Sequence, residues 1–274
     1  MTILWLDGVL VDEADARVSP FDHGLLTGDG IFETLRITRG QPFAIRRHLE
    51  RLARSAAGMR LPCPPADAVR AAVEEVVGAN DLAEGRLRVT VTGGPSTLGS
   101  DRAAVDPTVI VACGALPAWP PAAEVALSPW LRNERSPLAG VKSTSYGENV
   151  VALAHARERG AGEAIFANLA GHLCEGTGTN VFVGIGGRLL TPRLSSGCLA
   201  GVTRELVLEL VEVVEDDLPL AALASADEAF ITSSTRDIQP ICAVDGRPLP
   251  RCPGPLTTAA STAFRALQAR NLDP

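Results

Sequence analysis

One lysine in the second half of the chain has neighbours that would change its chemistry. Lys142 follows the apolar and glycine residues 138–141, and four residues with hydroxyl groups come directly after it. Burial among such neighbours lowers the pKa of a lysine, because the ammonium form loses its hydration. A neutral amine can form an imine with an aldehyde cofactor. Taken alone, a lysine in this position is more often an exposed residue at the end of a loop.

A carboxylate with small, flexible neighbours follows downstream. Glu175 precedes the sequence Gly-Thr-Gly-Thr-Asn, after which a strand is predicted to begin at Val181. A carboxylate placed against a pyridine nitrogen keeps that nitrogen protonated and strengthens the ring as an electron sink. The alternative is a solvated glutamate beside a glycine-rich turn.

Two later segments could bind phosphate. Val202 and Thr203 follow Gly201 at the start of a predicted helix, where backbone N–H groups and a hydroxyl would meet an anion. The alternative is that Thr203 only caps the helix, which stabilises it by about 1 kcal/mol. Ser234 and Thr235 lie in a run of hydroxyl residues after a predicted strand, and they could donate hydrogen bonds to a phosphate or a carboxylate.

These residues lie in a pattern of alternating strands and helices. The spacing of apolar residues predicts strands at 3–6, 9–11, 31–38, 86–92, 108–113, 163–167, 181–183, 189–190 and 229–232, and helices at 47–59, 67–77, 148–159, 203–213 and 256–270. Mixed strands and helices in both halves predict an α/β or α+β fold. The proline-dense residues 114–121 are predicted to link a small domain over 1–113 to a larger one over 122–274.

The composition excludes several classes of partner. The 274 residues are 46% apolar and 21% charged, with a formal charge of -7, and no basic run interleaves with aromatics, so no nucleic-acid partner is expected. No apolar stretch approaches eighteen residues and no signal peptide is recognised, so no membrane association is expected. The six cysteines contain no CxxC pair, which favours reduced thiols in a cytoplasmic protein, and no metal ligands are predicted.

Further motifs make the chain resemble a known family over nearly its whole length. They are Phe21-Asp22-His23-Gly24, Gly28-Asp29-Gly30-Ile31-Phe32-Glu33-Thr34, His48-Leu49-Glu50-Arg51-Leu52 and Ala226-Asp227-Glu228-Ala229-Phe230. With these motifs the chain resembles the class IV aminotransferases, which are the fold-type IV enzymes of pyridoxal 5'-phosphate (PLP). The resemblance implies a small N-terminal and a larger C-terminal α/β domain with PLP between them. It also implies a homodimer whose partner subunit contributes to the pocket.

The resemblance assigns a role to each residue that would contact PLP. It implies Lys142 as the Schiff-base lysine and proton shuttle, Glu175 as the partner of the pyridine nitrogen, Arg51 as a phosphate ligand, Val202 and Thr203 as the phosphate-binding helix start, and Ser234 and Thr235 as the turn near the phosphate and the substrate carboxylate. Asn180 is expected to support the site without taking part in the chemistry. Without the resemblance, Arg51 would be interpreted as a charged helix residue whose stem packs on the surface.

The residues that would contact substrate depart from the patterns of two subgroups. Branched-chain aminotransferases carry the pattern Phe-Glu-Gly at the positions where this chain has Phe32-Glu33-Thr34. This difference disfavours that subgroup. D-amino-acid transaminases carry a tyrosine at the position of Phe32. They also carry an Arg-x-His carboxylate clamp in the loop that here spans 93–102, and the clamp is absent from this chain. Arg88 and Arg236 are the two arginines that could bind the carboxylate instead.

The sequence therefore predicts a transaminase for D-amino acids, with (R)-amines as further donors and a 2-keto acid as acceptor in a ping-pong cycle. The alternative is a 4-amino-4-deoxychorismate lyase. The chain also resembles these lyases at Thr34 and over the run from Arg132 to Lys142. Both activities begin when the lysine removes a proton from the substrate, and they differ in the next step. A PLP-binding homologue without activity is disfavoured because Lys142, Glu175 and Arg51 are all retained.

Overall fold

The computed structural model describes residues 2–274, whose contacts divide the chain into two compact units. The first unit runs to Pro117 and also takes in Val141–Tyr146 and Asn271–Pro274. The second unit consists of Ala118–Gly140 and Gly147–Arg270. The segment that carries Lys142 thus belongs to the first unit, although it comes after the proline-dense residues. The domain limits predicted from the sequence stay a prediction.

The first unit is built on a six-stranded antiparallel sheet with the strand order β2-β1-β6-β5-β3-β4. Its elements are β1 (Ile3–Leu6), β2 (Val9–Asp12), α1 (His23–Leu26), β3 (Gly30–Thr38), β4 (Gln41–Pro42), α2 (Ile45–Met59), α3 (Ala66–Asn80), β5 (Glu84–Thr92) and β6 (Val109–Gly114). The Asp7-Gly8 turn joins β1 to β2, and both residues have the positive φ that a two-residue hairpin turn requires. The predicted hairpin is confirmed.

The core of the first unit lies between this sheet and the helices α2 and α3. Side chains of β3 alternate between two faces, and Ile31, Leu35 and Ile37 all belong to the core. The buried residues of α2 include Leu49 and Leu52, which recur at helical spacing and join the same cluster. The buried side chain of Phe32, by contrast, lies on the opposite face of the strand, where its ring contacts Lys142.

The second unit contains a nine-stranded mixed sheet. Its strands are β7 (Ala123–Leu127), β8 (Glu163–Ala167), β9 (Leu173–Gly176), β10 (Asn180–Ile185), β11 (Arg188–Pro192), β12 (Val214–Asp216), β13 (Glu228–Ser233), β14 (Asp237–Val244) and β15 (Arg247–Pro248), and its helices are α4 (Gly147–Glu158), α5 (Val202–Leu210), α6 (Ala221–Ala224) and α7 (Pro255–Arg270). The order is β12-β11-β10-β13-β14-β7-β8-β9, with β15 paired to β14. The mixed α/β fold predicted from the sequence is confirmed.

The second unit contains elements that the sequence analysis does not predict, namely β7, β9, β12, α6, β14 and β15, and one predicted helix is shorter than expected. The helix predicted over 203–213 ends at Leu210, and residues 214–216 form the short strand β12 beside β11. The strand β14 contains Pro240, which cannot donate a backbone hydrogen bond. Its pairing with β7 begins only after the proline, at Ile241, so the missing donor costs no hydrogen bond there. None of the helices within residues 2–274 is long and apolar enough to cross a membrane.

Candidate active site

The backbone of Lys142 is fixed against β3. The segment Val141–Tyr146 pairs with that strand at Ser143, and Phe32 donates its N–H to the carbonyl of Lys142 at 3.0 Å. The N–H of Lys142 in turn donates to the hydroxyl of Ser55 on α2, at 3.2 Å. Since strand and helix both hold this residue, the base of its side chain has a defined position in the first unit.

The side chain of Lys142 lies against an aromatic ring that an arginine also contacts. Its Nζ is 4.4 Å from the centroid of the Phe32 ring, and Cζ of Arg88 is 3.7 Å from the same centroid. Tyr146 packs edge-on against Phe32 with 5.2 Å between ring centroids. Thr34 lies directly opposite Arg88 in the β3–β5 ladder, so it shares their face of the sheet. The structure thus brings the predicted substrate residues of this unit together around Lys142.

Arg51 is buried, so its interpretation as a surface residue is wrong. Its Nε and Nη2 donate to the two carboxylate oxygens of Glu33 at 2.8 and 2.7 Å. His48, one helical turn before Arg51 on α2, contacts the same carboxylate at 2.7 Å through Nδ1. Burial by itself raises the pKa of the Glu33 carboxyl, but the charge and hydrogen bonds of Arg51, together with His48, hold that pKa well below its usual range.

Glu175 lies on β9 in the second unit, and its carboxylate contacts Leu199 and Arg132 there. Leu199 donates its backbone N–H to Oε2 at 2.9 Å, and Nε of Arg132 lies 3.3 Å from Oε1. Arg132 is itself held by the side chain of Asn149 at 2.7 Å and stacks on the Phe166 ring at 4.2 Å. A carboxylate with these fixed partners is held in one orientation, as a partner of a pyridine nitrogen must be.

The helix α5 begins at Val202 without a side-chain cap in the part of the chain that the structure describes. Gly201 is its N-cap, so the interpretation of Thr203 as an ordinary capping residue is wrong. Asn180 packs directly beside this start. Its Nδ2 donates to the carbonyl of Leu199 at 2.8 Å, and its Oδ1 occupies the space that a Cβ on Gly201 would need. The N–H groups of the first turn therefore remain directed at whatever lies before the helix.

Thr232 has a buried hydroxyl with no hydrogen-bond partner among residues 2–274. It lies directly opposite Asn180 in the β10–β13 ladder, and directly opposite residues share one face of a sheet. Because Asn180 contacts the residues just before α5, this hydroxyl lies on the side of the sheet that carries the helix start. A buried hydroxyl normally has a partner, so a bound polar group is a physical reason for its state. Ser234 and Thr235 follow on the same strand end.

Arg236 makes contacts that differ from those predicted for a substrate-binding residue. Its side chain is 7% exposed, and Nη2 lies 3.4 Å from the buried carboxylate of Glu163. Nη1 donates to Gln239 at 2.7 Å, and the guanidinium stacks on Trp119 at 3.7 Å. These contacts explain its position by packing alone, and its role toward substrate stays a prediction.

Five residues contact the predicted set although the sequence analysis assigned them no role: Glu33, His48, Arg132, Tyr146 and Thr232. A signal for Glu33 exists in the alternation of β3, because every second residue around it, including Ile31 and Leu35, is a core residue. A charged residue at such a position needs a buried partner, and His48 and Arg51 lie one turn apart on the buried side of the next helix. Among residues 2–274 no cluster of His, Cys, Asp and Glu is arranged to hold a metal ion.

A family model for amino-transferase class IV matches residues 30–244. The chain belongs to the class IV aminotransferases. The match spans both units, and it includes the strand and helix that hold Arg51 as well as Lys142, Glu175 and the start of α5.

Two relatives of this class IV aminotransferase carry different activities in their names. The chain is 37% identical over 256 residues to a putative branched-chain-amino-acid aminotransferase of Methanocaldococcus jannaschii, with 89% of this chain and 88% of the relative aligned. It is 31% identical over 254 residues to the aminodeoxychorismate lyase of Bacillus subtilis, with 89% and 87% aligned. The family membership is therefore common to a transaminase and a lyase.

Two solved structures match the fold along almost the whole chain. The branched-chain aminotransferase from Thermoproteus uzoniensis, solved with norvaline, has a TM-score of 0.90 at 32% identity and covers 97% of this chain and 94% of its own. A hypothetical aminotransferase from Mycobacterium tuberculosis, in its PLP-bound form, has a TM-score of 0.86 at 27% identity and covers 97% and 98%.

The aminotransferase uses PLP, and its residues fit that cofactor. In the first unit, Lys142 would bond the aldehyde carbon and Arg51 would bind phosphate oxygens. In the second unit, Glu175 would meet the pyridine nitrogen, and the uncapped start of α5 beside the unpartnered hydroxyl of Thr232 offers donors for an anion. These donors match the chemistry of PLP group by group.

Proposed function

We propose that this aminotransferase transfers the amino group of a D-amino acid to a 2-keto acid. The observation that carries the proposal is the stack of Arg88 on the ring that Nζ of Lys142 also contacts. The proposal assigns this arginine to the substrate carboxylate and the amine of Lys142 to the reaction, since an amino-acid substrate requires both a cation and an amine. When bound, PLP supplies an aldehyde for the substrate amine and a ring that takes up electrons.

The chain's own residues divide the remaining work between them. Lys142 would take a proton from the substrate carbon at Nζ and return it at the cofactor carbon. Phe32 would keep water from that amine, since its ring covers one side of Nζ. Glu175 would keep the pyridine nitrogen protonated, and Arg51 would bind the phosphate through its guanidinium.

Arg88 is a better candidate for the substrate carboxylate than Arg236. It is an exposed residue of β5 whose Nε donates only to the neighbouring Thr90 hydroxyl among the contacts described, at 3.1 Å. Arg236 instead has its guanidinium engaged by Glu163 and Gln239. Arg88 would thus replace the missing Arg-x-His clamp.

The preference for D-amino acids over L-branched ones is supported by the departure from the branched-chain pattern at Thr34. This residue has a side chain where that subgroup has glycine, and it lies directly across from Arg88. The added methyl and hydroxyl change the space beside the proposed carboxylate site. (R)-amines would be further donors, which bind without help from Arg88 because they carry no carboxylate.

A lyase acting on 4-amino-4-deoxychorismate is the second candidate. The 31% identity to the Bacillus subtilis lyase favours it, as does the same Thr34. Lys142 would begin both reactions by removing the same proton, and the lyase would then release pyruvate.

A donor panel with the PLP-loaded enzyme separates these functions. D-alanine or D-glutamate should bleach the visible absorbance of the bound cofactor and yield the keto acid, and (R)-phenylethylamine should do so more slowly. Turnover confined to L-leucine would establish a branched-chain enzyme. Pyruvate release from aminodeoxychorismate, without bleaching by any D-amino acid, would establish the lyase.

The Arg88 role has its own test in the same assay. Arg88→Gln should raise KM for D-alanine at least tenfold, because a charge-assisted pair is lost, and should leave KM for (R)-phenylethylamine unchanged. Arg86→Gln, at an exposed position two residues earlier on the same strand, is the matched control and should change neither value. Equal effects of the Arg88 substitution on both donors would contradict the assignment.

Lys142 can be tested without ambiguity because it is the only lysine in the chain. Borohydride reduction of the PLP-loaded enzyme should leave a pyridoxyl label that peptide mass spectrometry finds on Lys142. Lys142→Arg should retain the fold, lose the label and lose turnover by at least about 10³-fold. Persisting turnover in that variant would exclude the lysine from the reaction.

We also propose a cytoplasmic homodimer. Large apolar side chains are exposed in both units, among them Phe21, Leu25 and Leu98 in the first, and Trp130, Leu131, Val150, Val151, Leu169 and Leu194 in the second. Exposed apolar side chains in this number are typical of surfaces that bind another chain. The six cysteines are all thiols, as in a reducing compartment. Sedimentation at micromolar concentration should give the mass of two chains, and a monomer there would contradict the proposal.

A further inference from the structure

Arg51 and Glu33 form a buried pair in which two hydrogen bonds hold the guanidinium. The two side chains are 5% and 1% exposed. Nε and Nη2 of Arg51 donate to different oxygens of the carboxylate. Two parallel bonds of this kind fix the plane of a guanidinium as well as its position. The orientation of Arg51 is therefore set by a strand residue eighteen positions earlier in the chain.

Glu33 occupies a place on β3 where its neighbours on the same face are apolar. It lies between Ile31 and Leu35 and faces α2, the helix that carries Arg51. A carboxylate in such a place loses its hydration, and it is tolerated only where partners replace the lost hydrogen bonds. A hydrophobic residue would fill the same space without that cost. The charged residue at this position therefore calls for a reason beyond packing.

His48 completes the contacts of this carboxylate. Its Nδ1 lies 2.7 Å from Oε2 of Glu33, and a carboxylate can only accept, so Nδ1 carries the proton. Burial lowers the pKa of His48 below its usual value, and the charges of Arg51 and Lys142 add to this effect against the opposing influence of Glu33. The ring is thus a neutral donor near pH 7, and it steadies Glu33 without adding a second positive charge to the cluster.

We propose that Glu33 and His48 are positioning residues for the cofactor phosphate and act on it through Arg51. The inference rests on the proposed role of Arg51 as a phosphate ligand. Because Glu33 holds both Nε and Nη2, the plane of the guanidinium is fixed before PLP binds. Glu33 cannot bind the phosphate directly, because two anions in contact repel each other. It acts from behind Arg51.

The test compares PLP with pyridoxal, which has the same ring and aldehyde but no phosphate. Apoenzyme is titrated with each compound and the two dissociation constants are obtained from visible absorbance. Glu33→Asp keeps the charge but is one methylene shorter, so it cannot reach both nitrogens of Arg51. It should weaken PLP binding about tenfold and change pyridoxal binding less than about twofold, since one charge-assisted bond is lost.

A matched control and a double substitution separate positioning from general damage. Glu84→Asp alters another strand carboxylate that pairs with an arginine, Arg36, and it should change neither constant. Arg51→Lys keeps a charge but loses the fork, so it should weaken PLP selectively. Glu33→Asp in that background should add no further loss, because Glu33 then has no guanidinium to orient.

Each outcome bears on one claim. If Arg51→Lys leaves the ratio of the two constants unchanged, the proposed phosphate role of Arg51 fails. If Arg51→Lys lowers the selectivity for PLP but Glu33→Asp weakens both ligands equally, only the positioning inference is overturned. If Glu33→Asp does not fold, the same two dissociation constants are measured for variants of His48. His48→Leu should lower the selectivity for PLP about threefold, and His48→Asn, which keeps a donor near Nδ1, should restore it. Equal selectivity in both His48 variants would overturn the inference.

Discussion

Two carboxylate–arginine pairs, one in each unit, differ in how deeply they are buried. Glu33 and Arg51 in the first unit are 1% and 5% exposed and share two short hydrogen bonds. Glu175 and Arg132 in the second unit are 14% and 16% exposed, and their atoms approach only to 3.3 Å. Nε of Arg132 makes no hydrogen bond within the described chain.

The difference indicates two uses of the same chemistry. A fully buried ion pair holds its two side chains rigidly, because separating them would leave an unpaired charge in the core. A pair that is only partly buried leaves both side chains with some exposure, while the arginine still lies beside the carboxylate. The first arrangement suits an arginine that must be oriented. The second suits a glutamate that must itself contact a bound ring.

The same isosteric substitution, made at each glutamate in turn, tests whether the two pairs differ in their contribution to stability. Glu33→Gln leaves Arg51 as an uncompensated buried cation, and we expect it to lower the free energy of unfolding by about 3–5 kcal/mol. Glu175→Gln should lower it by less than about 1 kcal/mol, because this pair is less buried and its atoms approach only to 3.3 Å. Urea unfolding of the apoenzyme measures both. Equal losses in the two variants would show that the pairs do not differ in kind.

Turnover should respond in the second unit through a different route. Glu175→Gln removes the charge that would keep the pyridine nitrogen protonated, so kcat should fall by about 10²-fold while the apoenzyme stays as stable as the parent. The absorbance of the bound cofactor should also shift, because its ring loses a proton. An unchanged kcat and spectrum would remove Glu175 from the reaction and leave it as a structural residue.

A third pair, at the start of α1, gives the smallest expected effect and depends on pH. Both ring nitrogens of His23 face acceptors, Asp29 at 3.1 Å and the carbonyl of Gly99 at 2.9 Å, so both hydrogen bonds form only when the ring is charged. The hydrogen bond to Asp29 and then that to Gly99 raise the pKa of His23 above its ordinary 6.5, although burial and Arg102 oppose them.

The sign of this effect follows from the raised pKa. The stabilisation is complete below pH 6.5 and is lost as the pH rises through the higher pKa of the folded state. His23→Gln should therefore cost up to about 1 kcal/mol at pH 5.5 and less at pH 8.5. Thermal unfolding at several pH values measures the difference, and a constant gap between the two proteins would contradict it.

The residues proposed to contact the cofactor could be predicted from local motifs. The residues that hold them in position could not. Lys142, Glu175 and Thr203 each belong to a short segment whose residue types suggest their role. Glu33 and Arg132 are different, because each acts through a partner far along the chain, and spacing says nothing about such pairs. The tertiary fold had to be known before either could be assigned.

The fold shows the same limit. Strands with clear alternation, such as β3 and β5, and helices with a clear apolar face, such as α2, agree with the prediction within a few residues. The strand β14 is absent from the prediction. It contains Pro240, a residue that is unfavourable within a sheet, and its place depends on where the pairing with β7 begins. Register between distant strands is a property of the assembled sheet, and no local pattern encodes it.

The return of two later segments to the first unit has a consequence for synthesis on the ribosome. Units at the amino terminus generally fold first as the chain emerges. Here the strand partner that carries Lys142 emerges after the proline-dense residues, and the last four residues also belong to this unit, where Leu272 accepts a hydrogen bond from Ala44 at 2.7 Å. The amino-terminal unit therefore begins before the second unit and is completed only after it. A nascent chain halted at Pro117 would carry the sheet and the helices α1 to α3, but it would lack Lys142.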